Sequence, residues 1–102
     1  EGMALEHVLR VLRAEPGEAF HWSTHGGAEL DLLLVRGGQR WGFEFKNGDA
    51  PRPTKSMRVA MEDLKLRRLF VIYPGEKEYL LDDAIEVLPV SAVVKCATAV
   101  GD

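Results

Sequence analysis

The sequence is poor in cysteine and contains no long apolar run. Its single cysteine, Cys96, cannot form an internal disulfide, which is typical of a protein from a reducing compartment. No stretch approaches the roughly 18 consecutive apolar residues of a membrane span, and the chain does not open with a charged segment followed by an apolar one. We therefore predict a cytoplasmic protein that is neither secreted nor inserted into a membrane.

Three motifs that mark common cofactor sites are missing as well. The sequence contains no G-x-x-x-x-G-K-[ST], no C-x-x-C and no G-x-G-x-x-G, so triphosphate, zinc-ribbon and dinucleotide sites have no local support. The 13 Lys and Arg residues against 16 Asp and Glu residues leave a net charge of −3. This total neither indicates nor excludes nucleic acid as a partner, because local patches matter more than the sum.

Length and composition predict one domain. A chain of 102 residues with 46% hydrophobic residues can bury a genuine core, but it is too short for two domains. It begins at Glu1, without an initiator Met and directly inside a helical pattern. We therefore expect residues 1 to 102 to form a single domain that is a fragment of a longer chain.

Hydrophobic periodicity predicts an α/β fold with the order α-β-β-β-α-β, followed by short extra strands. A helical pattern over residues 2 to 14 stops at Pro16-Gly17, and a second helical pattern follows Thr54, a plausible cap. Predicted strands lie in "EAFHWST", "AELDLLLV", "QRWGFEFK", "RRLFVIYPG", "EYLL" and "IEVLP", and "VSAVVKCATA" is a last helix or a frayed tail. This order favours one sheet with helices packed against it.

The second and third strands form a predicted hairpin whose register follows from its loop. A two-residue Gly37-Gly38 loop, where both positions can take positive φ, places Arg36 opposite Gln39. Counting back along both strands then places Asp31 opposite Glu44. Two carboxylates at such a distance repel each other, but they can also share one divalent cation.

Side-chain alternation predicts a charged face and an apolar face for this hairpin. The charged face carries Glu29, Asp31, Glu44 and Lys46, with Glu29 opposite Lys46. The apolar face carries Leu30, Leu32, Leu34, Trp41, Phe43 and Phe45. Mg²⁺ keeps several waters when one or two carboxylates bind it, and a lysine beside it can orient a water or stabilise phosphoryl charge.

These residues resemble the PD-(D/E)xK nuclease superfamily, which has the restriction-endonuclease-like fold. In that superfamily a helical glutamate precedes a three-stranded meander with an Asp on the second strand and an E-x-K on the third. Here the Asp is Asp31, the E-x-K is Glu44-Phe45-Lys46, and the helical glutamate best matches Glu1, with Glu6 second. The arrangement is similar to that of archaeal Holliday-junction resolvases.

A narrower resemblance covers roughly residues 1 to 90. The segments "EGMALEHVLRVL", "THGGAELDLLL", "GFEFK" and "PRPTKSMRVAMEDLKLRRLFVIYPG" resemble the uncharacterised domain that ends a family of prokaryotic AAA+-type ATPases. Leu30 stands where the superfamily name has proline, and the extra acid Glu29 leaves open which of Glu29 and Glu1 completes the site.

The resemblance implies a Mg²⁺-dependent or Mn²⁺-dependent phosphodiesterase that acts on DNA and is appended to an ATPase. Asp31 and Glu44 are the expected metal ligands, with Glu1 or Glu29 as a further ligand, and Lys46 positions the attacking water. The rest of the ATPase chain is the expected partner, and the resemblance also allows an oligomer.

Other interpretations remain open on the sequence. Asp31, Glu44 and Lys46 can be a charge cluster on a solvated sheet face, and the fold can serve as a non-catalytic module that binds DNA or protein. Cleavage of RNA or single strands is a third possibility. Residues 46 to 68 carry seven Lys and Arg against three Asp and Glu, so Arg52, Lys55 and Arg58 are either phosphate contacts or the solvated face of the second helix.

Overall fold

The computed structural model describes residues 2–48 and 51–101, and its elements follow the predicted order. The segment after the last strand, predicted as a helix or a frayed tail, is a helix preceded by a 3-10 turn, Val90–Ala92. The elements are α1 (Gly2–Leu12), β1 (Ala19–Ser23), β2 (Glu29–Arg36), β3 (Gln39–Phe45), α2 (Lys55–Leu64), β4 (Arg68–Tyr73), β5 (Tyr79–Asp82), β6 (Ile85–Pro89) and α3 (Val94–Val100).

All described strands form one mixed sheet in the order β1-β2-β3-β4-β6-β5. The meander from β1 to β3 is antiparallel, whereas β4 runs parallel to both β3 and β6. A parallel pair needs a crossover connection, and α2 supplies it between β3 and β4. The α/β class and the mixed central sheet are therefore confirmed.

Helices cover both faces of the sheet. Val8 and Leu12 of α1 share one core with Cys96 of α3, and Met57 and Leu64 of α2 belong to the core on the other face. The predicted cap is confirmed, because Thr54 Oγ1 accepts a hydrogen bond from Met57 N–H at 3.1 Å. A strand in the middle of this sheet is consequently shielded from water on both faces.

The hairpin has the predicted register. Gly37 and Gly38 form its loop with φ of 63° and 76°, and the paired residues run from Arg36–Gln39 to Leu32–Phe43. Because a single-residue slip would exchange the two faces of the strand, this register decides which side chains meet at the far end of the hairpin.

The prediction for Leu30 is wrong. Leu32 and Leu34 face α1 as expected, but Leu30 lies in the core beneath α2. The pairing between β1 and β2 shifts by one residue between Phe20–Leu33 and Trp22–Leu30. This irregularity places one extra residue on β2, so the alternation of side chains between the two faces is interrupted between Leu32 and Leu30.

Gly42, in the middle of β3, lies where the backbone is tightly covered. A Cβ atom at this position would lie 2.7 Å from Leu66 Cδ1 and 3.0 Å from Leu69 Cδ1. We expect Gly42→Ala to lower the free energy of unfolding by about 1 to 3 kcal/mol, as overpacking of a filled core does. Urea denaturation checks this, with Gly17→Ala as the control because a Cβ there meets nothing within 4 Å. Equal midpoints for the two variants would contradict the expected overpacking.

Candidate functional site

Asp31 and Glu44 meet just beyond the last paired residues of the hairpin. Phe45 N–H donates to Asp31 Oδ2 at 2.8 Å, and Asp31 N–H donates to Glu44 Oε1 at 3.3 Å. In a regular ladder, main-chain carbonyl groups accept such hydrogen bonds between strands. Here the carboxylates of Asp31 and Glu44 accept them instead. The carboxylate pair predicted from the register is present in the folded chain.

Glu44 is the buried member of the pair, with 8% of its surface exposed. It pairs with Val71 of β4, whose side chain lies in the core beneath α2. Burial is the main cause that raises the pKa of the Glu44 carboxyl to about 7, and the charge of Asp31 raises it further. Repulsion between the two acids is thus relieved in part by a proton that Glu44 retains up to neutral pH.

Lys46 follows at the carboxyl end of β3. Its N–H donates to Ile72 O at 2.9 Å, which continues the parallel pairing with β4. Its Nζ lies 3.6 Å from Glu44 Oε2, and this contact opposes the rise in the pKa of Glu44. The lysine side chain is 39% exposed, so its ammonium can contact a ligand in solvent while it neighbours the pair.

The other acids named from the sequence lie differently. Glu29 is exposed, and its main chain is held by Ser56, whose Oγ accepts from Glu29 N–H at 3.0 Å and donates to Glu29 O at 3.2 Å. Glu1 lies outside the described residues. Glu6, the second match for the helical glutamate, is exposed on α1 and lines a cavity that Lys46 also lines. The structure thus joins Asp31, Glu44 and Lys46.

The donor set fits a hard divalent cation of the Mg²⁺ type. Such an ion takes one or two protein carboxylates and completes its shell with water and substrate oxygens. Within residues 2–48 and 51–101, no three His, Cys, Asp or Glu side chains converge as a group able to hold a metal ion. The two carboxylates of Asp31 and Glu44 agree with a cation that keeps several water ligands, and not with a site in which protein side chains supply all ligands.

The predicted nucleic-acid contacts lie at and before the start of α2. Arg52, Lys55 and Arg58 are all exposed. Lys55 lines a small cavity with the loop that precedes β2, and Ser56 links this end of α2 to Glu29. Lys55 therefore lies on the side of the fold where β2 begins, two residues before Asp31.

Sequence reasoning missed two polar residues near Lys46. His7 and Arg10 of α1 line the same cavity as Lys46 and Glu6. Their spacing from Met3, at four and seven positions, places all three on one side of the helix. That spacing is visible in the sequence, but it does not reveal that this side of α1 faces the end of β3.

A family model described as "Domain of unknown function (DUF4143)" matches residues 1–93. The chain belongs to the DUF4143 family. This DUF4143 chain is 37% identical over 94 residues to an uncharacterized protein of Mycobacterium bovis, and equally to one of Mycobacterium tuberculosis. Each match covers 92% of this chain but only 21% of the mycobacterial protein, so the chain spans about a fifth of the length of these relatives.

No solved structure matches the DUF4143 chain. In the described part of the chain, every helix is too short or too polar to cross a membrane.

Proposed function

We propose that this domain hydrolyses phosphodiester bonds in DNA with the help of Mg²⁺ or Mn²⁺, at a site built from Asp31, Glu44 and Lys46. The observation that carries the proposal is the meeting of two carboxylates where β2 and β3 part, with Lys46 Nζ 3.6 Å from Glu44 Oε2. A buried carboxyl with a raised pKa beside a second acid and a cation is a common property of functional sites.

The architecture is compatible with a restriction-endonuclease-type domain. A helix precedes a three-stranded meander, the acids lie on its second and third strands, and a crossover helix leads to a parallel fourth strand. The relatives are about five times as long as the matched region, which agrees with a role as one part of a larger protein. We propose that an AAA+-type ATPase forms the rest of that protein.

Asp31, Glu44 and Lys46 would have different roles in hydrolysis. Asp31 and Glu44 would hold the cation, and their backbone hydrogen bonds keep both carboxylates oriented before anything binds. Glu44 must release its proton to act as a ligand, so binding becomes stronger as the pH rises through about 7. Lys46 would hold a water or a phosphate oxygen by its ammonium group. The bound cation would supply polarisation of the scissile phosphate.

Asp31→Asn tests the site with little disturbance of the fold. The amide oxygen of Asn can still accept the hydrogen bond from Phe45 N–H, but one ligand charge is lost. We expect Mn²⁺ binding, followed by titration calorimetry, to weaken at least about tenfold. Nicking of plasmid DNA is expected to fall by at least about a hundredfold.

Asp63→Asn is the matched control, because Asp63 is an exposed acid on α2. It should bind Mn²⁺ and nick DNA like the parent chain. Nicking by Asp31→Asn at the parental rate would exclude the proposed mechanism.

A non-catalytic module for DNA or protein interaction is the second candidate. It is favoured by the hydrogen bonds that Asp31 and Glu44 make to the main chain, because these bonds already give the pair a structural role in joining β2 and β3. Salt-sensitive DNA binding without metal-dependent nicking would select the DNA-binding form. Absence of DNA affinity at low salt would select the protein-binding form.

A further inference from the structure

A cavity of about 460 Å³ lies between α1 and the carboxyl ends of β3 and β4. We call it the α1 cavity. Its volume falls within the roughly 300 to 1,000 Å³ of sites for small ligands. The α1 cavity is lined by Met3, Ala4, Glu6, His7, Arg10, Phe45, Lys46, Asn47, Ile72, Pro74 and Val90.

The lining of the α1 cavity combines an apolar floor with a charged rim, which carries two cations, Arg10 and Lys46, and one acid, Glu6. Phe45 and Ile72 belong to the core on this face, and they form its inner wall. Glu6, His7 and Arg10 are exposed residues of α1, and Lys46 directly follows the last residue of β3. A ligand with a flat apolar body and a negatively charged end matches this distribution, and a nucleotide has both parts.

The α1 cavity adjoins the candidate hydrolytic site through two consecutive residues. Lys46 lines the cavity and contacts Glu44 with its ammonium group. Phe45 lines the cavity with its side chain, while its N–H holds the Asp31 carboxylate. A strand with one base in the cavity therefore brings an adjacent phosphate towards Lys46, the residue that the two sites share.

We propose that the α1 cavity accepts one unpaired nucleotide of a single-stranded DNA segment, with the base against Phe45 and Ile72 and a phosphate near Arg10 and Lys46. This inference rests on the proposed function, because Lys46 belongs to both sites. A paired base is stacked and hydrogen-bonded within a duplex, so it reaches such a cavity only after unpairing. The cavity thus selects single-stranded or locally melted DNA.

Fluorescence anisotropy tests the cavity without cleavage. A labelled DNA of about 12 nucleotides, as a single strand and as a duplex of the same sequence, is titrated with the chain in EDTA at low salt. We expect the single strand to bind at least about fivefold more tightly than the duplex. Ala4→Met, which fills the cavity without changing the charge, should remove this preference, and Ala99→Met on α3 should preserve it.

Charge variants supply the second comparison. Arg10→Gln should weaken single-strand binding about five- to tenfold and reduce its salt dependence by about one phosphate contact. Arg13→Gln changes the net charge equally but removes an exposed arginine outside the cavity lining, so it should have little effect. Equal losses for both variants, or a parent chain that binds duplex as well as single strand, would overturn the proposal.

Nicking assays on the same samples separate this inference from the proposed function. A single-strand preference that Ala4→Met removes supports the cavity even when nicking is independent of Asp31. That result would refute the proposed hydrolysis alone. Asp31-dependent nicking by a chain without strand preference would refute the cavity proposal alone.

Discussion

Glu44→Gln should make the protein more stable at pH 8, by about 2 to 3 kcal/mol in the free energy of unfolding. The neutral amide keeps an oxygen that can accept the bond from Asp31 N–H, but it does not place a charge in the sheet interior. The same change should abolish metal binding and nicking if the proposed site is correct, because a ligand charge is removed. Stability and activity would then move in opposite directions at one residue.

The stability of the parent chain should fall as the pH rises, because Glu44 then loses its proton. Burial, and next the charge of Asp31, raise the pKa of Glu44 in the folded state from 4.5 to about 7. The stability that protonated Glu44 contributes is fully present below pH 4.5 and is lost as the pH rises through about 7. Urea denaturation should therefore show that the free energy of unfolding of the parent chain is lower at pH 8 than at pH 5. The free energy of unfolding of Glu44→Gln should change much less between these pH values.

An exposed glutamate provides the control for Glu44→Gln. Glu62 lies on the solvent side of α2, so Glu62→Gln should follow the parent between pH 5 and pH 8. A Glu44→Gln chain that loses as much stability as the parent over this range would show that Glu44 is not the buried acid responsible.

Arg36→Met is expected to be the most destabilising of the changes considered, by about 3 to 4 kcal/mol. The Arg36 guanidinium donates to Glu18 Oε1 at 2.9 Å and to Glu18 Oε2 at 3.0 Å. It also donates to Leu12 O at 2.8 Å and to Gly101 O at 3.1 Å. One side chain thus joins the end of β2 to the last turn of α1 and to the residue after α3, and its removal leaves several acceptors without their donor.

Urea denaturation of Arg36→Met at pH 7 measures the loss, with Arg58→Met on the exposed side of α2 as the control.

The dependence of stability on low pH provides a second measurement. The hydrogen bond from Arg36 holds the pKa of Glu18 at about 2, well below its usual 4.5. Stability from this pair is present above pH 4.5 and is lost as the pH falls through about 2. The stability of Arg36→Met should therefore not show this loss at low pH. A urea midpoint at pH 7 equal to that of Arg58→Met would contradict the role of Arg36 in joining these elements.

Local sequence determined much of this fold. The apolar spacing after Thr54 predicted α2 and its cap, because both depend on residues within one or two turns. The Gly37-Gly38 loop predicted the hairpin register, since a two-residue turn constrains the pairing of the strands it joins. That register placed Asp31 and Glu44 next to the last paired residues, Leu32 and Phe43.

Tertiary structure decided the properties that depend on distant residues. Leu30 changed faces because β2 pairs irregularly with β1, an effect that alternation within β2 cannot reveal. The raised pKa of Glu44 requires the burial that the folded sheet and its helices provide. The α1 cavity joins Arg10 to Lys46 although they are far apart in the chain. Sequence patterns report spacing along one element, whereas burial, electrostatics and cavities arise only when separate elements pack together.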